Sequence, residues 1–199
     1  MSKFIPSSRP AIELDKITKL INRHGWEAKQ GTVFCVAIRG YYLDTMGKPG
    51  KNDYGIHDDA FCWIWPDGYT RFNGNTDPSR LGWNKNAGKY MARLKPGIYD
   101  MIKWKHKGQY WAFGQGGNPV TVERVDSNGV VQKTEKGVYG INIHRSGVNG
   151  TSSEGCLTIP TQGSQWTEFQ SLGYKLLDKY KIEKFKLMLF DEEEEKKKP

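Results

Sequence analysis

A histidine and a cysteine in the last third of the chain are the residues whose types and spacing best suit catalysis. His144 ends a strand-like apolar run, a loop rich in Gly, Ser and Asn follows, and Cys156 leads into another apolar run. A hairpin-like return of the chain would bring the imidazole beside the sulfur, where it would depress the thiol pKa and generate the nucleophilic thiolate. Gly155 has no side chain, so the N–H groups of Gly155 and Cys156 could form an oxyanion hole. The structural alternative is that a single cysteine in a glycine-rich turn is only a small apolar residue.

Two short motifs in this region resemble the signature of L,D-transpeptidase catalytic domains. Residues 140–144 (GINIH) are similar to the Gly-Ile-His strand of that family, and residues 153–156 (SEGC) to its Ser-x-Gly-Cys nucleophile motif. Residues 94–99 (LKPGIY) also resemble the family's Pro-x-Gly-x-Tyr strand entry. The chain departs from the pattern at Glu154, where the family has His, and at Thr158, where it has Arg.

The resemblance implies a cysteine enzyme that acts on the peptide stems of peptidoglycan. Cys156 would attack a stem-peptide carbonyl to form a thioester, and His144 would pass the thiol proton to the leaving amine. Ser153 and Gly155 belong to the matched motif, and Ser146, Ser153 or a backbone carbonyl would orient the histidine. Water as acceptor would give a wall-degrading or wall-modifying L,D-peptidase, such as a phage lysis protein (an endolysin) or a delivered toxin. A second stem as acceptor would give a cross-linking L,D-transpeptidase.

Composition narrows the range of partners. The net charge of +8 favours an anionic partner, which could be a nucleic acid, an anionic cell-wall polymer or a membrane surface. The aromatic residues, 13% of the chain, suit stacking on carbohydrate or a β-rich core. The resemblance implies peptidoglycan as the partner. A non-catalytic cell-wall-binding module is therefore an alternative, since residues 103–107 (KWKHK) interleave basic and aromatic side chains. We predict no nucleic-acid partner, because no nucleic-acid-binding motif is present.

Hydropathy and the N-terminal residues bear on the protein's location. A mean hydropathy of −0.70, and the lack of an apolar run near the ~18 residues of a membrane helix, predict that there is no transmembrane segment. The N-terminal residues lack the apolar core of a signal peptide. We therefore expect synthesis in the cytoplasm and action in the periplasm or at the wall after release or delivery.

Metal ligands form a weaker pattern than the thiol and the imidazole. Residues 57–59 (HDD) could hold a metal with His144 or His106, and His144 begins a His-x-x-Gly zinc-peptidase motif, but Thr151 stands where that motif needs Asp. We expect no metal and no cofactor, and a solvated loop at 57–59. Cys35 and Cys62 lie in apolar runs, which predicts buried, unreactive thiols.

Periodicity predicts a mainly β (β-rich α+β) single domain with a helix near each end. The resemblance implies that this domain is an L,D-transpeptidase-like β-sandwich or barrel. The predicted domain boundaries are an N-terminal arm and helix at 1–30, the catalytic domain at 31–190 and a disordered charged tail at 191–199. The predicted helices span 12–21 and 166–180. The predicted strands are 32–43, 60–65, 99–105, 110–113, 120–125, 138–144 and 185–190, with long loops at 44–59 and 73–89 and a hairpin turn at 126–129.

Overall fold

The computed structural model describes residues 4–26, 32–85, 90–148 and 150–196, in which β-strands predominate. The helices are α1 (Leu14–Arg23), α2 (Arg80–Lys85), α3 (Gln165–Lys179) and α4 (Glu192–Lys196), with a 3-10 turn at Gln162–Ser164. The strands are β1 (Phe34–Arg39), β2 (Asp59–Trp65), β3 (Gly68–Gly74), β4 (Met91–Leu94), β5 (Gly97–His106), β6 (Tyr110–Gly114), β7 (Val120–Val125), β8 (Val131–Gly137), β9 (Asn142–Arg145), β10 (Leu157–Ile159) and β11 (Lys184–Asp191). Within the described ranges, no helix is long and apolar enough to cross a membrane.

Eight of the strands form one sheet that nearly closes into a barrel, in the order β10-β9-β6-β5-β11-β1-β2-β3. Its two edges meet where Asn75, directly after β3, bridges Thr158 of β10. Each of these residues donates its N–H to the carbonyl of the other at 2.8 Å. A smaller sheet, β4-β7-β8, shares the core inside the barrel. The bridge pairs backbone groups that would otherwise stand open at both sheet edges.

Helices cover both faces of the central strands, which explains why β1 is buried along its whole length. Alternate residues of β1 belong to different cores: Cys35 faces the inner cluster with Trp63 and α3, whereas Val36 faces the outer cluster with α1. Gly173 lets α3 approach closely, because a Cβ there would lie 2.5 Å from the Trp63 ring. The predicted mainly β class, with a helix near each end, is confirmed.

Several predicted boundaries are wrong. The strand predicted at 138–144 is only Asn142–Arg145. The loop predicted at 73–89 contains α2, and its residues 86–89 lie outside the described ranges. The predicted disordered tail instead begins with the end of β11 and α4, because Glu195 packs under α1 and its carboxylate lies 2.7 Å from His24 Nε2. Residues 1–3, 27–31 and 197–199 of the predicted arm and tail also lie outside the described ranges. Because α1 packs on the barrel, it shares the core of the predicted catalytic domain.

The solvated loop predicted at residues 57–59 is also wrong. His57, Asp58 and Asp59 each keep no more than 1% of their surface exposed. The Asp59 carboxylate accepts the N–H groups of Gly40 and Thr76 at 2.6 Å each, near the point where the sheet edges meet. These acids are buried because they satisfy backbone donors that the strands leave unpaired at the barrel closure.

Candidate functional site

A cavity of about 670 Å³ lies beside β5 and β9, and both predicted catalytic residues line it. His144 lies on β9 and Cys156 directly precedes β10. The two strands are parallel neighbours with Thr158 opposite His144, so Cys156 comes to lie beside the start of β9. Cys156 is half-buried and His144 is buried. The structure therefore brings the two residues together in one cleft.

A backbone carbonyl orients the imidazole of His144. The ring Nδ1 lies 2.7 Å from the carbonyl oxygen of Arg145 and 3.4 Å from the hydroxyl of Tyr110. A carbonyl oxygen only accepts, so Nδ1 carries the proton and Nε2 keeps a free lone pair for use as a base. The hydroxyl of Ser146 instead donates to the Gly147 carbonyl at 2.8 Å.

A second histidine completes a compact group of three side chains. An imidazole nitrogen of His144, an imidazole nitrogen of His106 and the sulfur of Cys156 all lie within 4.8 Å of one another. The two rings stack with their centroids 4.1 Å apart. Catalytic hydrogen bonds are often long before substrate binds, so a separation of this size is compatible with a catalytic pair.

Ser153 and Gly155 shape the loop that presents the cysteine. The Ser153 hydroxyl donates to the Cys156 carbonyl at 2.5 Å and accepts the Gly155 N–H at 3.0 Å. Gly155 has φ +152°, and a Cβ there would lie 2.5 Å from the carbonyl oxygen of Ala92 on β4. Glycine is therefore required for packing against β4. Because Ser153 engages the Gly155 N–H, the predicted oxyanion hole loses that donor in this conformation.

Asn142 is a cleft residue that the sequence analysis missed. Its Nδ2 lies 3.8 Å from the Cys156 sulfur and 2.6 Å from the Gly140 carbonyl oxygen, so one amide group reaches both atoms. The sequence does contain a signal that could have identified this residue. Residues two apart on a strand point to the same face, so Asn142 lies on the same face of β9 as His144. Its amide supplies a side-chain donor beside the nucleophile, where an oxyanion would form.

Burial determines the resting protonation states of the pair. It raises the pKa of the Cys156 thiol, although the N–H groups of Asn142 act in the opposite direction. It also lowers the pKa of His144 to about 4, and the neighbouring His106 contributes to this shift. The expected depressed thiol pKa is therefore wrong. At neutral pH the resting pair is a thiol and a neutral imidazole, so the thiol proton has to leave during the attack rather than before it.

Basic and aromatic side chains line the same cavity. Lys107 lies in the turn after β5 and Trp104 forms part of the wall. Arg124 also lines the cavity, where it donates to the Glu135 carboxylate at 2.7 Å. The cavity wall thus combines cationic groups suited to carboxylates with an aromatic surface.

The other residues singled out for chemistry lie elsewhere. His57 is not among the residues that line this cavity, and its Nδ1 lies 3.1 Å from the carbonyl oxygen of Phe4. Cys35 and Cys62 are fully buried on β1 and β2, and neither forms a disulfide. The prediction of buried thiols is confirmed, and burial raises the pKa of Cys62 to about 12.

Comparison of the chain with models of protein families, with characterised proteins and with solved structures finds no match. Function is therefore inferred from the motifs and the geometry of the cleft itself.

Proposed function

We propose that this protein is a cysteine enzyme that hydrolyses an L,D-peptide bond in the peptide stems of peptidoglycan. The observation that carries the proposal is the pairing of Cys156 with His144 in an accessible cavity, with the Nδ1 of the histidine held by a backbone carbonyl. This tautomer directs the basic Nε2 away from the carbonyl.

In the first half-reaction, the Cys156 sulfur attacks the carbonyl carbon while His144 Nε2 takes the thiol proton. The developing oxyanion accepts hydrogen bonds from donors beside the sulfur, among them the Asn142 amide, whose Nδ2 lies 3.8 Å from the sulfur. The C–N bond then breaks and the imidazolium gives its proton to the leaving amine. The product is a thioester on Cys156.

In the second half-reaction, water attacks the thioester carbonyl and His144 takes a proton from that water. The C–S bond breaks, the proton returns to the sulfur and the resting thiol is restored. We favour water over a second stem as acceptor because water needs no additional binding site. A cross-linking transpeptidase uses the same thioester with an amine in place of the water.

The choice of substrate is supported by the motifs at 140–144 and 153–156 and by the composition of the cavity wall. Stem peptides carry carboxylates, which complement Lys107, whereas Arg124 in the same wall is already paired with Glu135. Trp104 is 43% exposed and offers an aromatic surface to a neighbouring sugar or aliphatic side chain.

The test is mass spectrometry of defined muropeptides incubated with the purified protein. We expect shortened stems with the natural chain and none with Cys156→Ala, while Cys62→Ala serves as a matched control that removes a buried thiol. Intact-mass spectra should also detect an acyl adduct on the protein that is absent from Cys156→Ala. Joined stems would identify the transpeptidase, and unchanged stem shortening by Cys156→Ala would overturn the cysteine mechanism.

A non-catalytic wall-binding module is the second candidate, and an exposed aromatic surface favours it. Trp111 of β6 is 53% exposed, and the ammonium of Lys105, its partner on β5, lies 4.9 Å from the centroid of its ring. Exposed aromatic rings beside cations suit an anionic glycan. This candidate predicts that sedimentation with cell walls is weakened by Trp111→Ala and unaffected by Cys156→Ala.

A further inference from the structure

His106 has no role in the proposed reaction, yet it is built into the cleft. It ends β5, keeps 9% of its surface exposed and stacks on His144. Among the residues that the structure describes, its buried Nδ1 has no hydrogen-bond partner. A buried polar nitrogen without a partner is costly, which points to a ligand that the side chains alone do not supply.

The three side chains together form a donor set that soft divalent metals prefer. Two imidazole nitrogens and one sulfur, from His106, His144 and Cys156, lie within 4.8 Å of one another. Zinc binds nitrogen at about 2.0 Å and thiolate sulfur at about 2.3 Å, so its tetrahedral ligands lie about 3.5 Å apart. To hold one ion, the three atoms must move about 1 Å closer together, and the His106 ring must turn out of its stack on His144 so that both nitrogen lone pairs point at the metal. The cavity leaves the fourth position open.

The surroundings of the ligands agree with this use. A histidine that ligates zinc through Nε2 usually donates its Nδ1–H to a carbonyl, as His144 does to Arg145.

We propose that the cleft reversibly binds a zinc-class divalent cation through His106, His144 and Cys156, and that the bound ion switches the enzyme off. A metal–sulfur bond forms as the thiol releases its proton to solvent, and the lone pairs of the two imidazoles complete the set. The ion occupies the nucleophile and the base together, so thioester formation stops until the metal leaves. The binding site stands on the geometry alone, whereas its regulatory effect rests on the proposed function.

The binding site is tested by titrating the metal-free protein with Co²⁺ and, separately, with Zn²⁺ by calorimetry. We expect one ion per chain and a thiolate-to-cobalt charge-transfer band in the near ultraviolet. The band should vanish in Cys156→Ala. In His106→Ala and His106→Gln the affinity should fall by more than about 10-fold, the loss seen even for hydrogen-bond partners of ligands. His24→Ala, which removes a histidine packed against Phe190, is the matched control and should bind like the natural chain.

The regulatory effect is tested separately on muropeptides and by alkylation of Cys156. We expect the protein to be active in chelator, to be inhibited by added Zn²⁺, and to have its thiol protected from iodoacetamide by Zn²⁺ unless His106 is replaced. Absence of the cobalt band overturns the metal site while leaving the peptidase proposal intact. Activity that requires Zn²⁺ overturns the switch and the cysteine mechanism together. Metal binding without protection of the thiol overturns the ligand assignment.

Discussion

The cleft around Cys156 and the polar cluster at the barrel closure both gather ionisable side chains from distant parts of the chain. In the closure cluster, the Asp59 carboxylate accepts two backbone N–H groups, and the Arg39 guanidinium donates to the Leu94 carbonyl at 2.8 Å. These groups serve the backbone around them. In the cleft, by contrast, Cys156 and His144 line an open cavity, and only one nitrogen of the imidazole has a backbone partner.

Shifted pKa values occur in both regions. Burial raises the pKa of Asp58 to about 9, with the neighbouring Asp59 adding to the shift, just as burial lowers that of His144 to about 4. A perturbed pKa therefore reports desolvation in both places and does not by itself distinguish a reactive site from a structural one. What distinguishes them is whether the titrating atom can reach a substrate. The closure should accordingly govern stability, and the cleft should govern chemistry.

The largest effect should come from Cys156→Ala, which we expect to abolish muropeptide cleavage without loss of fold. Removing the nucleophile leaves no route to the thioester. Cys35→Ala, the matched change in the inner core, should keep the activity and lower the free energy of unfolding by about 1 kcal/mol. The two activities are compared at equal folded fraction, which circular dichroism measures. If both variants lose activity to the same extent, the distinction between the cleft and the core is wrong.

His144→Ala should lower kcat by roughly 10²–10⁴-fold, the usual contribution of a general base. Substrate binding should change less, because the imidazole acts mainly in the transition state. His57→Ala removes a buried histidine of the closure and should reduce stability while the folded fraction keeps its kcat. Equal losses of kcat in the two variants would show that the His144 effect is structural.

The pH profile of kcat/KM gives a milder test of the same base. Because the pKa of His144 is lowered to about 4, Nε2 stays unprotonated well below neutrality. Activity should therefore persist as the pH falls past 6.5, the ordinary histidine value, and decline only as it approaches about 4. Circular dichroism at each pH controls for acid unfolding. A midpoint near 6.5 with the fold intact would mean that His144 is solvated in the working enzyme.

Features set by local sequence could be predicted, whereas features set by long-range pairing could not. The periodicity of the sequence predicts helix α3 and strand β11. Its composition predicts that His144 ends a strand and that Cys156 lies in a loop. His106 joins them only because β5, β6, β9 and β10 are neighbours in the sheet, and no local pattern encodes that order. β8 went unpredicted because its exposed, polar residues lack hydrophobic alternation.

The buried acids at residues 57–59 are a second case in which the local sequence does not predict the structure. Residues 57–59 follow a stretch of turn-forming residues, which favours solvent exposure when only the local sequence is considered. They are buried because Asp59 starts β2 at the place where Thr76 and Gly40 need acceptors, and that need arises only when the barrel closes. The closure bridge between Asn75 and Thr158 likewise joins residues far apart in the chain.

Arg39→Met should be the most destabilising change at the closure. Arg39 is 1% exposed, its Nε lies 3.4 Å from the Asp77 carboxylate, and its loss leaves buried acids without their cation. We expect a decrease of about 3–5 kcal/mol in the free energy of unfolding, measured by urea titration. Arg80→Met breaks an ion pair with Asp53 in which the arginine side chain is 67% exposed, and it should cost about 1 kcal/mol. Similar losses in the two variants would mean that the closure cluster is not a structural centre.

The smallest effect, and the only stabilising one, should come from Asp58→Asn. Burial raises the Asp58 pKa to about 9, so between about pH 4 and 9 the folded chain holds a proton that the unfolded chain releases, and stability falls as the pH rises. Asparagine needs no such proton and keeps an oxygen for the Asp53 N–H, 3.0 Å away. We expect a gain of about 1 kcal/mol or more at pH 8 that disappears near pH 4, since one pKa unit corresponds to about 1.4 kcal/mol. Asp15→Asn, at an exposed acid paired with Lys19, should change stability by less than about 0.5 kcal/mol at either pH. A loss of stability in Asp58→Asn at pH 8 would mean that the carboxylate is ionised and needed at the closure. The electrostatics of this cluster would then resemble those of a binding site more than those of a buried structural cluster.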